Sequence, residues 1–381
     1  MRFKIKSILK KTAYVLFGSV LIVVLIAALF MNLSPQFGGS MSEAERQDLE
    51  KLAHFESGHF LNEEVIDMSI DFQSMVRILK EMVTSSPNTA PAKNVDVRPF
   101  AVEQIGKDLH GKARVTWLGH SSFLIEMDDQ VMLIDPIFGD YAAPHSLLGQ
   151  KRFNEEMPFD VTDLETLDAI VISHDHYDHL DYETIIKVKD KVKRVIAPLG
   201  VGRHFREWGF DESTIKELDW WEETQLGQLK ISFTPSRHSS GRGISDQNTT
   251  LWGSWCFLGE NQKLYFSGDG GYGKHFQQIG EKYGPFDFAM IECGQYDEKW
   301  AGVHMIPEES VQAGIDVGAS VIMPIHWGAF RLANHTWTSP VERFVNEAKK
   351  LEAEICTPEI GEAVIIKSEN YPQSSWWENY N

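Results

Sequence analysis

Histidine and aspartate are concentrated in one short stretch of the sequence, residues 171–180. The stretch follows an apolar run at 167–172 and contains three histidines and two aspartates: His174, Asp175, His176, Asp178 and His179. Burying so many polar groups without partners would cost several kcal/mol each, by the rough scale for unpaired polar groups. Imidazole nitrogens and carboxylate oxygens are good ligands for zinc and similar divalent ions. The stretch therefore predicts a metal site rather than a polar loop of chance histidines.

Three further residues of the same chemistry stand far downstream: His238, Asp269 and His326. Like the first cluster, each comes shortly after an apolar, strand-like run, and these runs are 229–234, 263–267 and 320–325. Strand ends at one edge of a sheet are rigid and can converge on one point. A lone histidine after a strand is most often structural, but four such placements favour a shared metal centre.

Composition and charge exclude some classes of function. The chain has 381 residues and a formal net charge of -19, and its first 42 residues carry only basic charges. So acidic a body argues against nucleic acid as a partner, because nucleic acids select basic patches. The three cysteines, Cys256, Cys293 and Cys356, form no close pair, so we expect small buried side chains and no disulfide framework.

The N-terminal segment predicts a membrane anchor. Residues Ala13–Met31 carry no charge, and five basic residues precede them. A helix of this run nearly spans the ~30 Å hydrocarbon layer. The basic flank places the N-terminus in the cytoplasm and the body outside it, in the periplasm if the source is bacterial. A cleaved secretory signal is the alternative, but no small-x-small site follows, so we favour an uncleaved single-pass anchor.

Four segments are expected along the chain: an anchor at 1–33, a linker and N-terminal cap region at 34–110, a catalytic domain at 111–367 and a C-terminal tail at 368–381. The cap region has helical patches at 43–55 and 71–83. The tail carries Trp376 and Trp377, which we expect to be exposed, either touching the bilayer interface or without a role. We expect six other tryptophans to be aromatic residues of the core: Trp220, Trp221, Trp252, Trp255, Trp327 and Trp337.

The catalytic body predicts an α/β fold. Short apolar runs at 114–118, 122–127 and 131–134, separated by turn residues, favour an antiparallel meander. Strands then alternate with helical stretches, which include 182–191, 201–208 and a helix starting at Pro307. A second hairpin is expected at 251–258 and 263–267.

The histidine cluster and the three downstream residues resemble the HxHxDH…H…D…H pattern of the metallo-β-lactamase fold family. Asp135, after its own apolar run, fits the earlier aspartate of that family, and the likeness covers roughly residues 111–361. The resemblance implies an αβ/βα four-layer sandwich, here preceded by the transmembrane helix.

A narrower resemblance is to the family of N-acyl-phosphatidylethanolamine-hydrolysing phospholipases D, which are membrane-associated zinc phosphodiesterases. It is carried by Trp117-Leu-Gly-His-Ser, Asp135-Pro-Ile-Phe, Lys151-Arg-Phe, the histidine cluster, Glu217-Leu-Asp-Trp-Trp-Glu-Glu, Leu251-Trp-Gly-Ser-Trp, Gly268-Asp-Gly-Gly-Tyr and Ile325-His-Trp-Gly-Ala-Phe. Two segments, 236–242 and 292–296, depart from the family's pattern. The resemblance implies hydrolysis of N-acylethanolamine phospholipids to N-acylethanolamine and phosphatidic acid by metal-activated hydroxide.

The resemblance also implies a set of ligands for two zinc ions, with other divalent transition metals as an alternative. One ion would take His174, His176 and His238, and the second would take Asp178, His179 and His326. Asp269 would bridge the two ions, because a carboxylate has two oxygens. Asp178, Asp269 and His304 are the candidate catalytic residues, with His304 contacting the phosphate or protonating the leaving oxygen. The alternative for His304 is a structural role at the entry to a helix.

Three further residues are candidates to support the ligands from behind. Asp135 is expected to orient a ligand histidine through its free N–H. His120 is a candidate of the same kind, with a structural role as the alternative, and Asp175 is a weaker candidate. Tyr177 lies inside the motif without a metal role.

Three functions are therefore open from the sequence. The first is the anchored zinc phosphodiesterase acting on a membrane phospholipid. The second is a metal-dependent lactonase or phosphoesterase acting on a soluble metabolite. The third is a membrane-tethered metal-binding module without activity, although all seven ligand positions are present. The sequence leaves the oligomeric state open.

Overall fold

Two mixed β-sheets pack face to face in the computed structural model, which describes residues 2–64, 66 and 86–381. The strands after the N-terminal region are β3 Arg114–Trp117, β4 Phe123–Met127, β5 Gln130–Ile134, β6 Ala169–Val171, β7 Val195–Pro198, β8 Ile215–Leu218, β9 Glu223–Leu226, β10 Leu229–Thr234, β11 Ser254–Leu258, β12 Lys263–Phe266, β13 Phe288–Glu292, β14 Ile322–Ile325 and β15 Ala363–Ile365. A short hairpin, β1 Phe55–Glu56 and β2 His59–Phe60, stands apart from both sheets.

The first sheet has the strand order β15-β3-β4-β5-β6-β7-β8. Its strands β3, β4 and β5 form the expected antiparallel meander, with Trp117 opposite Phe123 and Phe123 opposite Ile134. From β5 to β8 the strands are parallel. Every residue of β3, β4, β6 and β7 is buried, because both faces of this sheet are covered.

The second sheet has the strand order β14-β13-β12-β11-β10-β9. The hairpin of β11 and β12 is antiparallel, as expected, and β12, β13 and β14 run parallel. The strands β8, β9 and β15 were not expected from the sequence.

The described part of the chain has helices with the bounds α1 Arg2–Leu33, α2 Glu43–Leu49, α3 Tyr182–Val188, α4 Gly202–Glu207, α5 His275–Tyr283, α6 Pro307–Asp316 and α7 Ser339–Lys350. Helices α3 to α7 cover the outer faces of the two sheets. Asp181 starts α3 by accepting hydrogen bonds from two backbone N–H groups, and Pro307 starts α6 at its first position. The layers confirm the αβ/βα sandwich.

Two apolar cores correspond to these layers. The larger core lies between the sheets and combines β3 and β4 side chains such as Val115 and Ile125 with Ile231 and Phe266 of the second sheet. The smaller core, with Ile170, Ile185 and Phe205 among its members, lies between the first sheet and the helices α3 and α4. The three cysteines are buried and free, as expected.

The tryptophan predictions were partly right. Trp220, Trp252, Trp255, Trp327 and Trp337 are buried, and Trp221 is partly exposed. The expectation that Trp376 and Trp377 are exposed was wrong, because their exposed fractions are 5% and 2%. Both pack against Trp327, and Trp376 Nε1 donates to the Pro358 carbonyl over 3.0 Å. The residues Trp376–Tyr380 form a 3-10 helix docked on the core.

The N-terminal region begins with α1, in which Lys10–Leu33 form a 24-residue stretch long and apolar enough to cross a membrane by length and composition. The helical patch expected at 43–55 is shorter, because α2 ends at Leu49 and β1 begins at Phe55. The patch expected at 71–83 lies outside the described residues. Phe60, Val95 and Phe100 of the expected cap region are buried against the body.

Candidate metal centre

The seven predicted ligands come together at one edge of the sandwich. The loop after β6 carries His174, His176, Asp178 and His179, and the other ligands are His238 after β10, Asp269 after β12 and His326 after β14. Gly268 turns the chain with a φ of 56° between β12 and Asp269. An added side chain there would meet the Gly253 carbonyl at 2.5 Å, so glycine suits this turn.

One group of ligands consists of three imidazoles. His174 Nε2 lies 2.9 Å from His176 Nδ1, and His238 Nε2 lies 3.2 Å from that same His176 atom. His174 and His238 are buried, whereas His176 is partly exposed. Three nitrogens this close to one another can share one cation.

A second group contains Asp178, His179 and His326, with His120 beside them. His179 Nε2 lies 3.3 Å from Asp178 Oδ2, and His326 Nδ1 lies 4.0 Å from that oxygen. Each of these residues is buried. The two groups contain the residues that the resemblance assigns to the two ions, and the role of these residues as ligands stays a prediction.

Asp269 lies between the two groups. Its Oδ2 is 3.1 Å from His179 Nε2 and 3.2 Å from His326 Nε2. The same oxygen is 3.9 Å from the Nε2 atoms of both His174 and His238. One carboxylate therefore faces all four histidines that surround it, two from each group.

Hydrogen bonds behind the ligands fix their rings. Asp135 Oδ2 lies 2.8 Å from His179 Nδ1, and the Val303 carbonyl lies 2.9 Å from His238 Nδ1. Ser121 Oγ lies 3.1 Å from His326 Nδ1. Each of these contacts uses one ring nitrogen of its histidine. They hold the His179, His238 and His326 rings in place, as partners of metal-ligating histidines do.

His120 is tied to the centre by both its side chain and its backbone. Its Nε2 lies 2.8 Å from Asp178 Oδ2. Its backbone N–H donates to the Trp327 carbonyl, and its carbonyl accepts from the His326 N–H. It has a φ of 55° and His326 has one of 65°. His120 thus positions both Asp178 and His326.

The electrostatics suit the binding of cations. Burial lowers the pKa of His174, His238 and His326, so their nitrogen lone pairs are free at neutral pH. Burial alone would raise the pKa of Asp178 and Asp269, but nearby histidines, His179 foremost, lower each below its usual value. Burial alone would lower the pKa of His179, but Asp269 and Asp178 raise it above its ordinary value. The centre therefore combines ionised carboxylates with the neutral imidazoles of His174, His238 and His326.

The donor set fits a pair of divalent cations. Asp269 Oδ1 and His179 Nε2 are buried and make no hydrogen bond within the described part of the chain. Such unpaired buried atoms are costly unless something else binds them. Nitrogen and carboxylate donors in two groups around one shared carboxylate are typical of zinc and related transition metals.

The buried Glu292 and the partly exposed His304 form a pair beside the centre. His304 Nδ1 hydrogen-bonds to Glu292 Oε1, and the other oxygen, Oε2, accepts from the Gly270 N–H over 2.6 Å. The His304 ring stacks on His326 at 5.4 Å between centroids. Burial lowers the pKa of His304, but the neighbouring Glu292 carboxylate raises it by more, so this pKa lies above its ordinary value.

Glu292 was not predicted as a site residue. The sequence indicates it only by an acid near the end of the apolar run 286–293, in a segment that departs from the family's pattern. An acidic side chain that is completely buried requires a partner, and His304 is that partner.

Arg242 braces the histidine loop, which the sequence did not indicate. Its Nη1 donates to the carbonyls of Asp175 and Leu180 over 2.7 and 2.8 Å. Its guanidinium lies over the Tyr177 ring at 4.2 Å, and Tyr177 Oη donates back to the Arg242 carbonyl. Asp175 points away from the metal ligands and bonds to His204 at 3.1 Å. The loop is thus held from two sides.

The fold and the site place the chain in a known class. A family model described as the β-lactamase superfamily domain matches residues 131–327. Together with the layered sheets and the buried histidine-aspartate centre, this match shows that the chain belongs to the metallo-β-lactamase superfamily. It is a metal-dependent hydrolase of that superfamily.

Within the superfamily the chain resembles phospholipase D enzymes that hydrolyse N-acyl-phosphatidylethanolamine. Phospholipase D 1 of this type from Caenorhabditis elegans is 35% identical over 66% of this chain and 74% of that protein. An uncharacterized protein of Mycobacterium tuberculosis is 38% identical over 87% of this chain and 89% of that protein. The solved structure of isothiocyanate hydrolase from Delia radicum gut bacteria is 19% identical in sequence to this chain. The match covers 67% of this chain and 100% of the hydrolase, with a TM-score of 0.52, and shows that the two proteins share a fold.

Proposed function

We propose that this protein is a membrane-anchored dinuclear zinc phosphodiesterase of the phospholipase D type. It hydrolyses N-acylethanolamine phospholipids to N-acylethanolamine and phosphatidic acid. The position of Asp269, whose Oδ2 faces histidines of both ligand groups, carries the dinuclear part of the proposal. The substrate part is supported by the 35% identity to the Caenorhabditis elegans phospholipase D.

The ligands divide between the two ions by their distances. His174, His176 and His238 would hold one ion, and Asp178, His179 and His326 would hold the other, with Asp269 within reach of both groups. When bound, two such cations supply Lewis acidity toward the phosphodiester and lower the pKa of water to about 7. No serine or cysteine nucleophile is required for this chemistry.

His304 is the proposed acid for the leaving group. In the reaction, a water molecule loses one proton as its oxygen adds to phosphorus, and the bond between phosphorus and the oxygen of the N-acylethanolamine breaks. The proton lost by the water returns His304 to its charged form after it has protonated the leaving oxygen. His304 donates a proton to that oxygen from Nε2, because Nδ1 is held by Glu292. Its ring lies 5.0 Å from His238 and 5.4 Å from His326 between centroids, next to both ligand groups. A charged imidazole can act in this way near neutral pH.

The proposed location follows from α1. The apolar surface of Lys10–Leu33 is unburied, and basic residues precede it. We place the N-terminus in the cytoplasm and the catalytic body on the other side of the membrane. An uncleaved anchor of this kind raises the local concentration of a bilayer substrate around the site. Protease added outside intact spheroplasts should digest the body, and a body protected from it would contradict this topology.

The test of the function combines metal analysis with an assay on N-acyl-phosphatidylethanolamine. The full chain, purified in detergent, should contain two zinc ions per molecule and release N-acylethanolamine. A chelator should abolish the activity and zinc should restore it. Asp178→Asn and His326→Ala should abolish turnover, whereas His110→Ala, an exposed histidine away from the centre, should retain it.

Two results would overturn the proposal. Turnover that survives Asp178→Asn and His326→Ala would exclude the metal mechanism. Hydrolysis of a soluble lactone or phosphoester, without any hydrolysis of the phospholipid, would favour the soluble-metabolite alternative.

A further inference from the structure

Three exposed apolar side chains stand out on the body of the molecule. Among the described residues after Leu33, the most exposed large apolar side chains are Leu147 at 87%, Ile244 at 81% and Leu148 at 65%. They lie on two loops that are far apart in the sequence, one between β5 and β6 and one between β10 and β11. Contiguous apolar side chains exposed to this extent mark an interaction surface.

Both loops contact the chain segment that leaves the end of α1. Phe30, in the last turn of α1, lies 6.1 Å from the His145 ring and 5.4 Å from the Phe37 ring between centroids. The other loop reaches the same segment through Arg242, whose Nε and Nη2 donate to the Gln36 carbonyl over 2.8 and 2.6 Å. The loops that carry the three apolar side chains therefore both contact the exit of the anchor.

Hydrogen bonds inside the two loops hold these side chains outward. The Leu147 N–H donates to His145 Nδ1 over 3.1 Å, and the Leu148 N–H donates to the His145 carbonyl over 2.8 Å. In the other loop the Asp246 carboxylate accepts from the Arg242 and Gly243 N–H groups over 3.0 and 2.7 Å. Each loop is thus an ordered turn with apolar residues at its tip.

The position of Phe30 sets the level of this surface relative to a bilayer. Phe30 is three residues from the end of α1, which is about 4.5 Å at the helical rise per residue. The headgroup layer on each side of a bilayer is roughly 5–7 Å thick. A loop that touches Phe30 therefore lies at the headgroup level when α1 spans the membrane.

We propose that Leu147, Leu148 and Ile244 form a collar around the exit of α1 and insert into the leaflet that faces the catalytic body. The partner is the bilayer itself, because the collar continues the apolar surface of the anchor. The inference rests on the proposed function in one respect, the membrane location of the substrate.

The collar also fixes where the metal centre meets the membrane. Tyr177 lies between the ligands His176 and Asp178, and its ring contacts Phe37 at 6.3 Å between centroids. The same ring supports Arg242, which binds Gln36. His176 and Tyr177 form the partly exposed side of the centre, and Tyr177 directly contacts Phe37 in the segment that leaves the bilayer. A phospholipid headgroup would reach the centre without the lipid leaving the membrane.

The test uses single fluorescent labels on the full chain. Cysteine is introduced as Leu147→Cys, Leu148→Cys or Ile244→Cys, and the three native cysteines are buried and poorly accessible to reagent. Each variant carries an environment-sensitive nitrobenzoxadiazole label. It is reconstituted into phosphatidylcholine vesicles with and without a lipid that bears a nitroxide on its acyl chain.

Leu351→Cys is the matched control. Leu351 is an exposed leucine just after α7. The nearby Glu354 carbonyl accepts from Ile322 at the start of β14, so this region lies at the edge opposite to His326. A label here should emit as in water and escape quenching by the lipid nitroxide.

Labels at 147, 148 and 244 should shift their emission to shorter wavelength in vesicles and be quenched by the lipid nitroxide. Labels that emit as in water would overturn the collar. A shift to shorter wavelength without nitroxide quenching would also overturn it, because protein rather than lipid would then cover the loops. Neither readout requires turnover, so failure of the collar is distinguishable from failure of the proposed function.

Discussion

Asp135 holds His179 from behind: its Oδ2 lies 2.8 Å from Nδ1 of that ring, which leaves Nε2 facing Asp178 and Asp269. Asp135 is itself fixed by the backbone N–H and the hydroxyl of Ser173, over 2.7 and 2.5 Å. The orientation of one proposed ligand is therefore set by a residue that does not face the centre.

Replacing Asp135 should weaken metal binding. For Asp135→Asn we expect affinity for zinc to fall about 10–100-fold, because partners behind a ligand histidine typically contribute that much. Competition with a chelator of known affinity measures the change. Asp163→Asn, an exposed carboxylate in a short 3-10 helix, is the control. Equal affinity in the Asp135 and Asp163 variants would exclude an orienting role for Asp135.

Removing the charge of Glu292 should impair His304. For Glu292→Gln we expect kcat to fall roughly 10²-fold or more with little change in zinc content, as for loss of a general acid. The physical reason is that Glu292 both orients Nδ1 of His304 and favours its charged form. The measurement is kcat and KM on the phospholipid substrate, with zinc analysis of each variant.

The double variant tests whether the two residues act as one unit. If they do, adding His304→Ala to Glu292→Gln should cause little further loss, because effects within a unit are not additive. Losses that multiply would show that Glu292 acts independently of His304.

The stability of the protein should depend on pH through His275. Burial lowers the pKa of this histidine from 6.5 to about 3, with the Arg237 charge adding to the effect. The unfolded chain therefore takes up a proton below pH 6.5 that the folded protein does not. The stabilisation from neutral His275 is fully present above pH 6.5 and is lost as the pH falls toward 3. At pH 5 this one group has lowered the free energy of unfolding by about 2 kcal/mol.

His275→Gln should remove this contribution. The variant should lose about 2 kcal/mol less than the parent between pH 7 and pH 5, because glutamine does not titrate. Thermal unfolding in detergent at the two pH values measures the difference, and acid effects at the metal ligands are common to both proteins. His59→Gln, at an exposed histidine, serves as the control. The same pH dependence in parent and variant would contradict the prediction.

The C-terminal segment should contribute strongly to stability. We expect Trp376→Ala to lower the free energy of unfolding by about 3–5 kcal/mol, as for other buried aromatics. Its ring stacks on Trp327, the residue after the ligand His326, at 5.3 Å between centroids. Glu378→Ala, exposed in the same 3-10 helix, should have little effect. Denaturant unfolding compares the two, and equal stability would show that the segment is dispensable.

The sequence predicted the strands that carry the ligands well. Each of β6, β10, β12 and β14 is a short, largely apolar run that is followed within a few residues by polar residues, because the strand is buried between layers while the loop after it lies at the edge of the sheet. The antiparallel meander was likewise predictable from its turn residues. The grouping of the ligands came from the family resemblance and not from spacing.

The sequence could not show contacts between distant segments. The pairing of Glu292 with His304 and the docking of Trp376 on Trp327 join residues whose local sequences carry no signal for each other. Strands β8 and β9 were missed because they are partly exposed and rich in charge, without a clear apolar alternation. The helices α5 and α7 were missed because no metal ligand or turn motif drew attention to them.

The ligands come from both halves of the sandwich: the histidine loop follows a strand of the first sheet, and His238, Asp269 and His326 follow strands of the second. Cations bound there would act as a clasp between two layers that otherwise touch through apolar side chains. By mass action, each tenfold rise in free metal above the dissociation constant would add about 1.4 kcal/mol per site to the closed state. Metal supply would then govern the lifetime of the folded molecule as well as its turnover.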